Sequence, residues 1–118
     1  MKHMLQAHMP MFVLDVLQYD IEQINSVINL LNDSSGSIGW SEFCPDGFRN
    51  EDVIQVLKIL ASLGHVDVYQ YSEEESCLVP SGEPGFVPDD LESAINDYWF
   101  LRTRSGEKRW EEWDPPTA

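Results

Sequence analysis

The side chains of this chain that could do chemistry are three histidines, two cysteines and a large excess of carboxylates. His3, two residues behind an amino terminus, has the placement that binds copper or nickel in a square plane. A flexible start over residues 1–10, which show no clear period, is the simpler reading. His65 follows Gly64 at a strand start, a position for a surface or structural histidine rather than a base. No His and Cys stand at metal-ligand spacing, and no glycine-rich phosphate loop is present. Glu73, Glu74 and Glu75 run together without the interleaved Asp, Asn and Gly of a calcium loop. The expectation is therefore a protein with no catalytic residue, no metal and no cofactor. Cys44 and Cys77 are too few for a disulfide framework and are expected to be reduced, although a bridge between them is compatible with the sequence.

Charge is the most informative total. With 21 acidic residues against 7 basic ones the net is −14, which repels phosphate backbones and anionic membranes. Acidity also favours solubility in its own right, so it excludes partners better than it selects them. Four tryptophans and four tyrosines in 118 residues exceed what a small core needs, and these are the residues that anchor interfaces. Excess carboxylate and excess aromatic surface together suit a protein partner with a basic face. The candidate contacts are Asp67, Glu73, Glu74, Glu75, Asp89 and Asp90, with Trp110 and Trp113 as aromatic anchors; Trp40 and Trp99 read as core or lid packing.

The elements that position these residues follow from pattern. Asn50 is placed to cap a helix with Glu51 and Asp52 in its first turn, where the helix dipole favours carboxylates. Val53, Leu57 and Leu60, widened by Ile54, Val56 and Leu63, form its apolar stripe. Gly64 then stops it in a left-handed closing position. Val66 and Val68 alternate with Asp67 and Tyr69, the period of a half-buried strand. Ser72 to Ser76 is a polar turn, and Cys77-Leu78-Val79 returns as the second strand of a hairpin. Upstream, Met11 to Leu17 is an apolar run that periodicity cannot assign to strand or helix. Asp20 and Gln23 form a capping-box pattern for a helix from Ile21 to Asn32, with Ile21, Ile24, Val27, Ile28 and Leu31 buried. Ser41 can cap one short helical turn with Phe43 inward. Downstream, Asp89 or Asp90 can cap a short helix, Tyr98 to Leu101 is a strand, and Thr103 precedes a last helix from Arg104 to Trp113. Asp114-Pro115-Pro116 ends that helix and leaves residues 114–118 as a tail.

Helix, short helix, turn, helix and hairpin in this order resemble the winged helix-turn-helix core of MarR-type regulators. Ser41-Glu42-Phe43 matches that family's short helix, Leu60 to Gly64 the end of its recognition helix, and Val66 to Tyr71 the opening strand of its wing. Leu101 to Gly106 corresponds to a Leu-Thr-x-x-Gly exit from the wing, with Arg102 inserted. The resemblance implies an α+β fold, a single domain with a small antiparallel wing hairpin and flanking helices. The family's DNA-reading cations do not carry over. Between Phe48 and Val79 only Arg49 and Lys58 stand against Glu51, Asp52, Asp67, Glu73, Glu74 and Glu75, a local net of −4. Elsewhere Arg102, Arg104, Lys108 and Arg109 form one basic cluster, balanced by Glu107, Glu111 and Glu112.

The function expected first is an antidote or immunity protein that covers a basic partner such as a nuclease toxin. An acidic mimic of DNA, or a winged-helix transcriptional regulator, are the alternatives. No apolar run approaches the roughly 20 residues of a membrane span and no secretion signal is read, so the expected place is the cytoplasm.

Overall fold

The computed structural model describes residues 2–18, 21–32, 48–81 and 98–114. They form an α+β fold of α1 (Lys2–Val16), β1 (Glu22–Gln23), α2 (Ile24–Asn32), α3 (Asn50–Ser62), β2 (Val66–Ser72), β3 (Cys77–Pro80), β4 (Trp99–Arg102) and α4 (Arg104–Glu111). The four strands make one antiparallel sheet in the order β1-β4-β2-β3.

Met11 to Leu17 belongs to helix α1 up to Val16, and all seven of these residues are buried. A helix buried on every side shows no apolar stripe, which is why its period is silent in the sequence. The same helix reaches back to Lys2, through the stretch read as a flexible start, and holds Pro10 inside it at the loss of one backbone donor.

The second helix begins later than its capping pattern predicts. Glu22 and Gln23 form a short strand paired with Phe100 and Trp99, and α2 starts at Ile24. A long-range backbone pairing has taken the residues that local chemistry assigns to a helical first turn. Ile24, Val27, Ile28 and Leu31 are buried as expected, and Ile21 is half-buried. Asp20 lies outside the described residues. So does Ser41-Glu42-Phe43, together with Trp40 and Cys44. The two sides of that gap are tied by the Phe48 amide, which donates to Asn32 Oδ1 over 2.6 Å.

Helix α3 opens on Arg49 rather than Asn50. The Val53 amide donates to the Arg49 carbonyl over 3.1 Å, so the first turn closes one residue early, and no side chain caps it. Glu51 and Asp52 do occupy the first turn. The far end closes as a Schellman motif. His65 N–H reaches the Leu60 carbonyl at 2.9 Å and Gly64 N–H reaches Ala61 at 3.1 Å, with Gly64 at φ +76°. Val53, Ile54, Val56, Leu57 and Leu60 are buried, but Leu63 is 54% exposed. It sits on the cap, one turn beyond the exposed Ile59, and does not continue the stripe.

The hairpin forms as read, with Ser72 opposite Cys77 closing the turn at Glu73–Ser76. Cys77 is a free, exposed thiol. Strand β4 then pairs with the other side of β2, placing Leu101 opposite Asp67 and Trp99 opposite Tyr69. Val66, Val68 and Phe100 face the core with α1, α2 and α3. Helix α4 ends at Glu111, two residues short of Trp113, capped at its start by Thr103 Oγ1, which accepts from the Gly106 amide at 3.1 Å. No helix among the described residues is long and apolar enough to cross a membrane.

Candidate functional site

Glu73, Glu74 and Glu75 project from the turn between β2 and β3, all exposed, with the Glu75 amide held by Ser72 Oγ at 3.3 Å. Asp67 is exposed on the same hairpin. Glu73 stands six positions further along the chain, about 20 Å at some 3.3 Å per residue. The structure therefore spreads the predicted acidic surface along β2 instead of gathering it at one point. Asp89 and Asp90 lie outside the described residues.

Trp110 and Trp113 are used inside the chain. The Trp110 indole N–H donates to Asp15 Oδ1 at 3.0 Å, and the Arg102 guanidinium lies over its ring at 4.8 Å. Trp113 donates to His8 Nδ1 at 2.9 Å and meets the Phe12 ring edge-on at 5.8 Å. Both rings are half-buried and close the core over α1. Asp15 is the buried acidic residue beneath this lid, and Gln18 Nε2 also reaches its Oδ1 at 3.3 Å. A lone carboxylate inside the apolar run Met11–Leu17 was its only trace in the sequence.

A second polar corner joins the α3–β2 turn to α4. Thr103 donates through its amide to the His65 carbonyl at 3.1 Å and through Oγ1 to the Gly64 carbonyl at 2.7 Å. His65 Nδ1 and Ser105 Oγ are 2.9 Å apart. Burial, and then the Arg109 guanidinium, hold the His65 imidazole below its ordinary range. These contacts make the histidine a fastener between two elements.

The basic cluster is smaller than its sequence count. Arg102 donates to the Leu14 carbonyl at 3.3 Å and stacks on Trp110, so its charge points inward. Arg104 and Lys108 remain exposed beside Glu107 and Glu111 along an open groove on α4.

Two apolar surfaces escaped the sequence reading. On α3 the open side carries Glu51, Asp52, Gln55, Ile59, Ser62 and Leu63, with Ile59 51% exposed. On the sheet, residues directly opposite in register share a face. The outer face thus combines Asp67 with Leu101, Tyr69 with Trp99 and Pro80, and Tyr71 with Leu78. Tyr71 is 54% exposed and Leu101 37%. Trp99, read as packing, is only partly covered there. Alternation along β2 signals Tyr69 and Tyr71; nothing local signals the strand that sets Trp99 and Leu101 beside them.

Among the described residues no three His, Cys, Asp or Glu side chains gather as a metal site. Comparison with family models, with curated proteins and with solved structures gives no match.

Proposed function

We propose that this chain is a non-catalytic, cytoplasmic binding protein of winged helix-turn-helix type that covers a basic protein partner, in the manner of an antidote or immunity protein on a nuclease toxin. One observation carries the reading. The two surfaces that such a fold turns toward DNA, the open side of the second long helix and the hairpin turn, bear Glu51, Asp52, Ile59 and Leu63 on α3, with the cations Arg49 at its N-cap and Lys58, and Glu73 to Glu75 on the turn. A DNA reader places Arg and Lys there, because release of counterions from phosphates supplies much of its affinity. Carboxylates around exposed aliphatic side chains suit a cationic protein surface, where opposite charge speeds encounter and apolar contact holds the complex. The inward turn of Arg102 removes one cation from the cluster that a DNA-binding role would use.

The test is capture of the tagged chain from its host at low and high salt, followed by reconstitution with the purified protein that remains bound. A stoichiometric basic protein whose toxicity is relieved by co-expression supports the antidote reading. A polymerase or nucleoid protein would replace it by mimicry of DNA. Recovery of a defined DNA sequence without a protein would overturn both and make Arg104, Lys108 and Arg109 the working surface.

A further inference from the structure

We propose that the outer face of the sheet is an arginine-docking strip, which takes an extended, arginine-bearing segment of the partner. The inference rests on the reading that the partner is basic, and it names the face and the side chain recognised. Along β2 the outward residues run Asp67, Tyr69, Tyr71, and the turn that follows supplies Glu73, Glu74 and Glu75. Trp99 lies beside Tyr69, Leu101 beside Asp67, and Leu78 beside Tyr71. An aromatic centre is thus bounded by carboxylate at both ends.

The chemistry of that order selects arginine. A guanidinium is planar, weakly hydrated and always charged, so it stacks on Tyr and Trp faces and forks onto a carboxylate. The fold already contains one such stack, Arg102 over Trp110 at 4.8 Å. Lysine, a compact and strongly hydrated charge, gains less from an aromatic face. The distance from Asp67 to Glu73, about 20 Å, matches about six residues of extended chain at some 3.3 Å each. Arginines near both ends of such a segment reach carboxylates while one between them lies on Tyr69, Trp99 or Tyr71. A second copy of the chain is the wrong occupant, since it too carries a net charge of −14.

The experiment titrates the full chain with two synthetic peptides of equal length and net charge, one of arginine and glycine and one of lysine and glycine, followed by tryptophan fluorescence and amide NMR shifts. The expected result is that the arginine peptide binds about fivefold more tightly than the lysine peptide. Its shifts should centre on Asp67 to Tyr71 and Trp99 to Leu101. Tyr71→Ala with Leu101→Ala should weaken the arginine peptide by up to about fivefold, toward the level of the lysine peptide, and spare the lysine peptide. Both side chains are exposed, and the wild-type shift map gives the same answer without a variant. Equal binding of the two peptides, with shifts confined to the glutamate turn, would overturn the strip while leaving a basic partner in place. No binding of either peptide at low salt would overturn the basic-partner reading as well. A wild-type dimer in sedimentation that Tyr71→Glu dissociates would also overturn the strip, because the occupant would be a second copy.

Discussion

The indole N–H of Trp110 donates to Oδ1 of Asp15 across 3.0 Å, joining residues 95 positions apart and fixing the last helix on the first. Asp15 is fully buried, and a buried carboxylate is tolerated only while its oxygens keep their donors. Trp110→Phe preserves most of the apolar cover and removes one donor. Its expected cost is about 0.5–1.5 kcal/mol in urea unfolding, the range for one hydrogen bond lost while Gln18 Nε2 still donates to the same oxygen. Adding Asp15→Asn should then cost less than in the wild type, because the bond between the two side chains is already lost. Additive costs in that double-mutant cycle would show that the two residues act independently.

Two glycines should both lose stability to alanine, for different physical reasons. A Cβ on Gly106 would collide with the carbonyl oxygen of His65 and lie 3.0 Å from its carbon, both backbone atoms. Helix α4 would have to lift from the α3–β2 turn and break the Thr103 bonds to Gly64 and His65. Gly106→Ala should destabilise by about 1–3 kcal/mol, as overpacking does. At Gly64 nothing lies within 4 Å, but φ is +76°. Gly64→Ala should cost about 1–2 kcal/mol through left-handed backbone alone, and Gly64→Asn should recover part of it, since Asn tolerates that region. Equal effects of alanine and asparagine at Gly64 would rule out a backbone cause. Thermal unfolding of the three variants measures all of this.

Elements with strong local chemistry were legible in the sequence, and pairings between distant segments were not. Gly64 announced the end of α3 because a left-handed closing residue has few substitutes, and the glutamate turn between alternating strands announced the hairpin. Glu22 and Gln23 misled because a capping pattern says nothing about β4, nearly 80 residues on. The same blindness hid the outer face. Tyr69 and Tyr71 could be placed outward from alternation, but only the Tyr69–Trp99 and Asp67–Leu101 register makes a surface of them. Trp110 and Trp113 were singled out by type; their engagement with Asp15 and His8 depends on where α1 lies, which the uniform burial of Met11 to Leu17 concealed.

The imidazole of His65 gives the stability a pH dependence of known sign. Burial first, and Arg109 second, lower its proton affinity in the folded chain below the ordinary value. As pH falls through about 6.5 the unfolded chain takes up this proton before the folded one. The stability present above that pH is lost as pH falls toward the folded-state value. Arg109→Gln removes the second cause, so the NMR titration of His65 should move upward and the fall in stability should become shallower. A titration of His65 that does not move in that variant would mean that burial alone sets it. His65→Gln should flatten the same part of the curve.

Charge at the hairpin turn should govern the rate of encounter more than the lifetime of a complex. Glu73, Glu74 and Glu75 are exposed and lie beyond the aromatic part of the strip, so water screens them in the bound state too. Replacing all three by lysine changes the net charge by six units on a surface that makes no core contact, and thermal stability should shift by no more than about 0.5 kcal/mol. Association with a basic partner in stopped flow at low salt should slow by about tenfold or more, with a weaker salt dependence and a dissociation rate little altered. Tyr71→Ala should do the reverse and raise the dissociation rate at an almost unchanged on-rate. If the lysine triplet instead leaves association untouched, the partner approaches from elsewhere, and the open side of α3 around Ile59 and Leu63 is the surface to substitute next.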